Sequence, residues 1–232
     1  MNPPGPRFER QTRFAPLGRA GQARLEAARV LVVGCGALGG AVAQNLARSG
    51  IGRIVLVDRD VVEESNLPRQ VLFEDRHARE RTEKAVAARE SLARIGGPTQ
   101  VEAFVEHVDA DNVERLVRDA DLVVDGTDNL ETRYLVNDVC VERGSPWIYG
   151  GVVGSGGLVL PVLPGRGPCL ACLFPEPPPA GVLPTCETAG VLEPAVAAIA
   201  AVQSGLALRI LTAAEELTPR LVELDVWEGR VR

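Results

Sequence analysis

The chain has 232 residues, 46% hydrophobic and 24% charged, the balance of an ordinary soluble globular protein and not of a disordered or fibrous one. A net charge of −6, from 25 basic and 31 acidic side chains, leaves no footprint for nucleic acid. Five cysteines, no signal peptide behind residues 1–6 and no uninterrupted apolar run of about 18 residues point to a reduced, cytoplasmic protein that does not span a membrane. One oddity lies inside the basic count: 24 of the 25 cations are Arg, and the only Lys is Lys84.

In chain order, an extended arm is expected to precede a helix over 17–28, followed by an apolar β-branched strand over 29–33. A glycine-rich turn over 34–40 opens a small-residue helix that Ser49-Gly50 stops. A second strand over 54–57 ends at Asp58, and 63–79 reads as polar and irregular. A charged helix over 82–94, a strand over 101–107, a short helix over 112–119 and a buried strand over 122–124 come next. Beyond them lie a helix over 130–143, strands over 147–153 and 157–162, and a Pro/Gly-rich crossing loop over 161–184. An apolar helix over 195–214 and a strand over 221–227 close the chain. Strands alternating with helices specify an α/β fold, with a nucleotide-binding half at about 28–145 and a second half at about 146–232 of a single domain. That second half would carry the partner-binding surface and the cysteines.

Gly34-x-Gly36-x-x-Gly39 follows a strand and opens a helix, so its backbone N–H groups and the helix dipole suit a phosphate. Asp58 stands 24 residues beyond Gly34, at the end of the next strand, where a carboxylate can accept from ribose hydroxyls. On this motif alone NAD ranks ahead of ATP. Three further segments reverse the order: Ser65-Asn66-Leu67-Pro68-Arg69-Gln70, Lys84, and Asp125-Gly126-Thr127-Asp128-Asn129. In a parallel sheet the carboxyl ends of the strands share one crevice, so these groups can converge on the same ligand. Two cations and a carboxylate suit a triphosphate with Mg²⁺ better than a hydride-transfer pocket. The plainer readings are a solvated loop charge for Arg69 and a helix N-cap for Asp128.

These residues resemble the MoeB/ThiF/HesA family, bacterial relatives of ubiquitin-activating enzymes. The match covers nearly the whole chain: Phe8-Glu9-Arg10-Gln11, the GCGALGG loop, LVDRD, SNLPRQ, Lys84, VDGTDN with residues 132–138, and the PCLACLFPEPPP and TCETAGVL segments. The resemblance implies a Rossmann-like, mainly parallel sheet with helices on both faces, extended by antiparallel strands and the crossing loop. It implies ATP-dependent adenylation of the C-terminal Gly-Gly carboxylate of a small β-grasp sulfur-carrier protein, for molybdopterin, thiamine or tRNA thiolation. The alternatives are an NAD(P)-dependent oxidoreductase and a non-catalytic carrier-binding scaffold.

Carried over residue by residue, the resemblance gives Asp58 the ribose and Asn66, Arg69 and Lys84 the phosphates. Asp128 would hold Mg²⁺, and Arg10 would reach the nucleotide site of the other subunit in a homodimer. Gly34, Gly36, Ala37, Gly39, Asp60, Ser65 and Asn129 complete the expected nucleotide-binding set; family loops often carry Gly where this chain has Ala37. The apolar 195–214 helix is a second reason to expect a dimer.

Cys169-Leu170-Ala171-Cys172 is half of a tetrahedral thiolate zinc site, or two reduced thiols; the sequence has no second CxxC. Cys186 matches the family cysteine that can take the activated carrier covalently, and it reads equally as a non-catalytic loop thiol. Cys35 and Cys140 read as small buried hydrophobes, and His77 and His107 as filler.

Overall fold

The computed structural model describes residues 6–176, 186–212 and 217–232. Among these, eight strands form one sheet: β1 (Arg29–Val33), β2 (Arg53–Val57), β3 (Gln100–Phe104), β4 (Leu122–Asp125), β5 (Trp147–Val153), β6 (Gly156–Val162), β7 (Val222–Asp225) and β8 (Arg230–Val231). Their spatial order is β3-β2-β1-β4-β5-β6-β7-β8. The first five are parallel and the last three antiparallel, the α/β class with antiparallel extension expected from the sequence. Strands from both halves of the chain therefore join one sheet.

The central strands are apolar on both faces because helices cover both. Successive side chains point to opposite sides. Val30, Val32, Ile54 and Leu56 pack with α3 (Ala37–Ser49), α5 (Lys84–Ile95) and α10 (Glu193–Thr212). Leu31, Val33, Val55 and Val57 pack on the other face with α6 (Val113–Val117), α7 (Leu130–Arg143) and α8 (Leu170–Leu173). Glycines in the left-handed region end α3 and α7, Gly50 at φ 84° and Gly144 at φ 70°.

The structure corrects three expectations. Residues 6–16 of the N-terminal arm are not extended: a 3₁₀ turn (Pro6–Phe8) and α1 (Glu9–Thr12) precede α2 (Gly18–Ala27). Burial of the Phe8 ring and hydrogen bonds from Gln11 Nε2 to Gln22 Oε1 (2.7 Å) and the Ser49 carbonyl (2.9 Å) dock this arm on α2 and α3. The irregular 63–79 stretch contains a 3₁₀ turn (Glu64–Asn66) and α4 (Asp75–Glu80), each started by a local capping box that hydropathy does not show. Near the C-terminus, one expected strand is a β7–β8 hairpin, its turn held by Asp225 Oδ1, which accepts from the Trp227 and Glu228 amides at 3.0 Å each.

The helix α10 is the one described helix long and apolar enough to cross a membrane, and it packs along α2, α3, β5 and β6. That packing buries part of its apolar surface within the chain. Residues 213–216, which include the expected helix end at 214, lie outside the described residues, as do 177–185, which include the last part of the expected crossing loop.

Candidate functional site

The chain leaves β1 toward β2 and β3 on one side, while β4 and β5 lie on the other. A crevice therefore opens at the carboxyl ends of β1 and β4. Three glycines close its floor. Gly34 adopts φ 88°, and its N–H donates to the Val57 carbonyl at 2.8 Å. The Gly126 N–H donates to the Val33 carbonyl at 2.8 Å. A Cβ at Gly39 would collide with the Gly34 carbonyl, and one at Gly126 would lie 2.5 Å from Gly39 Cα. Glycine at all three positions thus lets the loop after β4, which carries Asp128, rest directly on the start of α3. Gly36 is the N-cap of α3 and Ala37 its first residue, so the N-terminal amides of a 13-residue helix face the crevice.

Asp58 forms the next wall. Its Oδ2 accepts from the Cys35 amide at 2.6 Å and its Oδ1 from the Asp60 amide at 2.8 Å. Burial pushes the carboxyl above its ordinary range, opposed by those two hydrogen bonds and by the Lys84 charge. Two lone pairs remain on the carboxylate for a ligand. Lys84 opens α5; its N–H donates to the Asp60 carbonyl at 2.8 Å, and its Nζ donates to Asp60 Oδ2 at 3.0 Å. The lysine side chain is only 12% exposed, so one carboxylate neighbour holds an otherwise enclosed cation in place.

The SNLPRQ turn contributes Asn66, buried, whose Oδ1 accepts from the Glu63 amide at 3.1 Å. Arg69 lies alongside, its guanidinium Nη1 donating to the Ser65 carbonyl at 2.7 Å, which ties down the head of a side chain read as a free loop charge in the plainer view. Ser65 itself is exposed.

Asp128 is not the N-cap of α7. Asn129, expected at the nucleotide, is the N-cap of α7, with its Oδ1 accepting from the Thr132 amide at 3.3 Å. Asp128 is exposed and makes no hydrogen bond or ion pair with the described residues, which leaves its carboxylate available to a cation. A single free carboxylate beside an anion cradle fits Mg²⁺, which takes one or two protein carboxylates and fills its octahedron with water and phosphate oxygens.

The group that holds this loop escapes a reading of the sequence. Arg133 Nε donates to Asp125 Oδ2 at 2.9 Å, and its Nη2 donates to the Thr127 (2.6 Å) and Gly150 (3.0 Å) carbonyls. Asp125 Oδ1 accepts from the Thr127 amide (2.9 Å) and hydroxyl (2.8 Å). The Arg133 and Asp125 side chains are 11% and 3% exposed. Burial opposes the guanidinium charge, but Asp125 and then Tyr149 outweigh it and raise the Arg133 pKa; its plane lies 5.2 Å from the Tyr149 ring centroid. A buried ion pair with four further hydrogen bonds thus ties the loop carrying Asp128 to the middle of β5. The signal in the sequence was an Asp at a strand end followed eight residues later by an Arg on the next helix.

Arg10 is exposed on α1 and has no ion pair among the described residues. The backbone of Cys186 begins α9 (Cys186–Ala189) instead of lying in a loop; just beyond, Gly154 and Val191 form a bridge that brings this segment to the end of β5. Cys169 and Cys172 face each other with sulfurs 3.7 Å apart, and the Leu170 amide between them donates to Asn137 Oδ1 at 2.9 Å. Burial pushes the Cys169 thiol up, but hydrogen bonds from the Cys172 amide and thiol outweigh it and hold the group below its usual value. These thiols are two of the four ligands a tetrahedral zinc site takes, and among the described residues no cluster of three or more metal-binding side chains occurs.

Burial raises the Cys140 thiol to about 12 and lifts that of Cys35 well above its ordinary value, with Asp58 adding to the latter. A thiol reagent near neutral pH is therefore expected to label Cys172 and to spare Cys35 and Cys140 until denaturant opens the core. Peptide mapping by mass spectrometry checks this, and modification of either buried thiol in the native protein would contradict the packing. His77, read as filler, caps a helix: the side chain is fully buried, and its Nδ1 accepts from the Glu74 amide at 3.1 Å at the start of α4.

The ThiF family model matches residues 8–232. The chain belongs to the ThiF family. This ThiF-family chain is 45% identical over 223 residues to the sulfur carrier protein ThiS adenylyltransferase of Bacillus subtilis, a match covering 96% of this chain and 66% of that protein. It is 39% identical over 232 residues to the sulfur carrier protein adenylyltransferase of Thermus thermophilus, covering 97% and 85%. Among solved structures, E. coli MccB with ATP superposes with a TM-score of 0.84 at 24% identity, over 99% of this chain and 72% of that one, a likeness of fold.

Proposed function

We propose that this ThiF-family chain uses ATP with Mg²⁺ to adenylate the C-terminal Gly-Gly carboxylate of a small β-grasp sulfur-carrier protein, releasing pyrophosphate. Relatives across nearly its whole length are named adenylyltransferases of sulfur carriers, which favours this reading over hydride transfer or an idle scaffold. The observation that carries it is the convergence, at one crevice, of the α3 amides, the half-buried Asp58 carboxylate, the enclosed Lys84 and the unpartnered Asp128.

A carrier carboxylate is ionised at neutral pH, so no general base is needed. One carboxylate oxygen bonds to the α-phosphorus as the bond from that phosphorus to the bridging oxygen breaks, and the electron pair leaves on pyrophosphate. What the site must supply is in-line positioning and stabilisation of the accumulating charge. Asp58 accepts from ribose hydroxyls, the amides of 34–39 hold the phosphates from one side, and Asn66, Arg69 and Lys84 hold them from the other. Mg²⁺ bound through Asp128 would neutralise phosphate oxygens. Arg10 serves the nucleotide of a second copy in a homodimer, and the Cys186 sulfur, as thiolate, bonds to the carboxyl carbon of the adenylate to give a thioester while the carbon–oxygen bond to AMP breaks and AMP leaves with the electron pair. We assign the protein to the cytoplasm, in keeping with the free thiols of its described cysteines.

Mixing the protein with Mg²⁺, ATP and a candidate carrier is expected to give a carrier heavier by one AMP, or free AMP when hydroxylamine is added to trap the activated carboxyl group. A carrier that gains no AMP with ATP, while the protein binds NADH tightly, would overturn the reading.

A further inference from the structure

One polar side chain at the crevice has no partner and no role so far. Gln70 is 5% exposed, and its Oε1 is buried without a hydrogen-bond donor. Its backbone is fixed on both sides, the amide donating to the Asn66 carbonyl and the carbonyl accepting from the Phe73 amide, each at 3.0 Å. The other end of the carboxamide points at the helix N-terminus: a Cβ built on Gly36 would lie 3.8 Å from Gln70 Nε2. Nε2 makes no hydrogen bond with the described residues. In a core, an unpaired buried amide is destabilising, and Met or Leu would fill the same volume without that cost. Against an anion cradle, a neutral donor has a use, because hydrogen bonds to charged acceptors are about twice as strong as neutral ones.

We propose that Gln70 is a nucleotide ligand: its Nε2 donates to a phosphoryl oxygen of the nucleotide seated at Gly36, on the face opposite the α3 amides. This rests on the adenylation reading only in taking the ligand to be ATP. The position selects a donor without charge. Arg69 and Lys84 already supply cations, and a neutral amide can orient one oxygen without drawing the departing pyrophosphate back.

Gln70→Met and Gln70→Glu test the assignment by melting temperature without nucleotide and by calorimetric titration with ATP and Mg²⁺. Gln70→Met keeps the shape and removes the unpaired acceptor, so it should melt no lower than the parent and bind ATP about tenfold more weakly. Gln70→Glu is isosteric but sets a carboxylate against phosphate, and should weaken ATP by more, about a hundredfold. A purely structural glutamine would give the opposite pattern: a lower melting temperature in Gln70→Met and undiminished ATP affinity in both variants, which would overturn the proposal. If Gln70→Met does not fold, Gln70→Glu decides alone, with parental affinity overturning the assignment. Failure of the parent protein to bind ATP would instead count against the adenylation reading.

Discussion

Carrier-dependent exchange of pyrophosphate into ATP is expected to fall by about 10²–10³-fold in Lys84→Ala, the range seen when one preorganised charge-stabilising donor is removed from a site. The geometry gives the reason. Lys84 sits at the first position of α5 with its stem enclosed and its Nζ held by Asp60, so the cation is aimed before any ligand arrives. Lys84→Arg keeps the charge and should still lose most of the activity. A planar guanidinium needs more room than a side chain 12% exposed is given, and it distributes its donors in a fork where one compact ammonium fits. The sequence has Arg at every other basic position. Steady-state exchange with circular dichroism as a check on folding measures this; near-parental exchange in Lys84→Arg would show the solitary lysine to be incidental.

The second large effect is on stability. Arg133→Met leaves Asp125 charged, 3% exposed and without its guanidinium, and removing one partner of a buried pair costs about 3–5 kcal/mol. That is a large part of the roughly 5–15 kcal/mol that holds a domain together, and it should appear as a fall of roughly 6–20 °C in melting temperature. Adding Asp125→Asn to Arg133→Met should recover part of the loss, because no charge is then left buried. Arg133→Lys should recover little, since one ammonium does not span Asp125 Oδ2 and the Thr127 and Gly150 carbonyls together. Stability within about 1 kcal/mol of the parent in Arg133→Met would mean that the pair contributes little beyond what a well-packed apolar residue supplies.

The parts of the site that were legible in the sequence are those set by short-range rules. A strand, three glycines and a helix specify an anion cradle wherever they occur, and the rule that parallel strands present their carboxyl ends together places Asp58, Lys84 and the 125–129 loop beside it. What escaped is what depends on which atoms meet across the fold. Asp128 and Asn129 are equally good N-caps by residue type, and only the backbone decides that Asn129 takes the cap. Arg133 reads as one more helix cation until β5 puts the Gly150 carbonyl within its reach. Gln70 carries no signal at all in sequence, because an unpaired amide is visible only when its surroundings are. The fold errors have the same origin: the N-terminal arm is polar and short, and its helical turns form because Phe8 and Gln11 find partners on α2 and α3.

If the crevice at the ends of β1 and β4 activates a carrier carboxylate with ATP, isotope exchange between pyrophosphate and ATP reads that activity most directly. It is run with a candidate β-grasp carrier, with the same carrier lacking its terminal glycines, and with Asp128→Ala. The expected result is exchange with the intact carrier alone, none with the truncated one, and none with Asp128→Ala. Exchange that proceeds equally without the carrier's terminal glycines, or in Asp128→Ala, would contradict it.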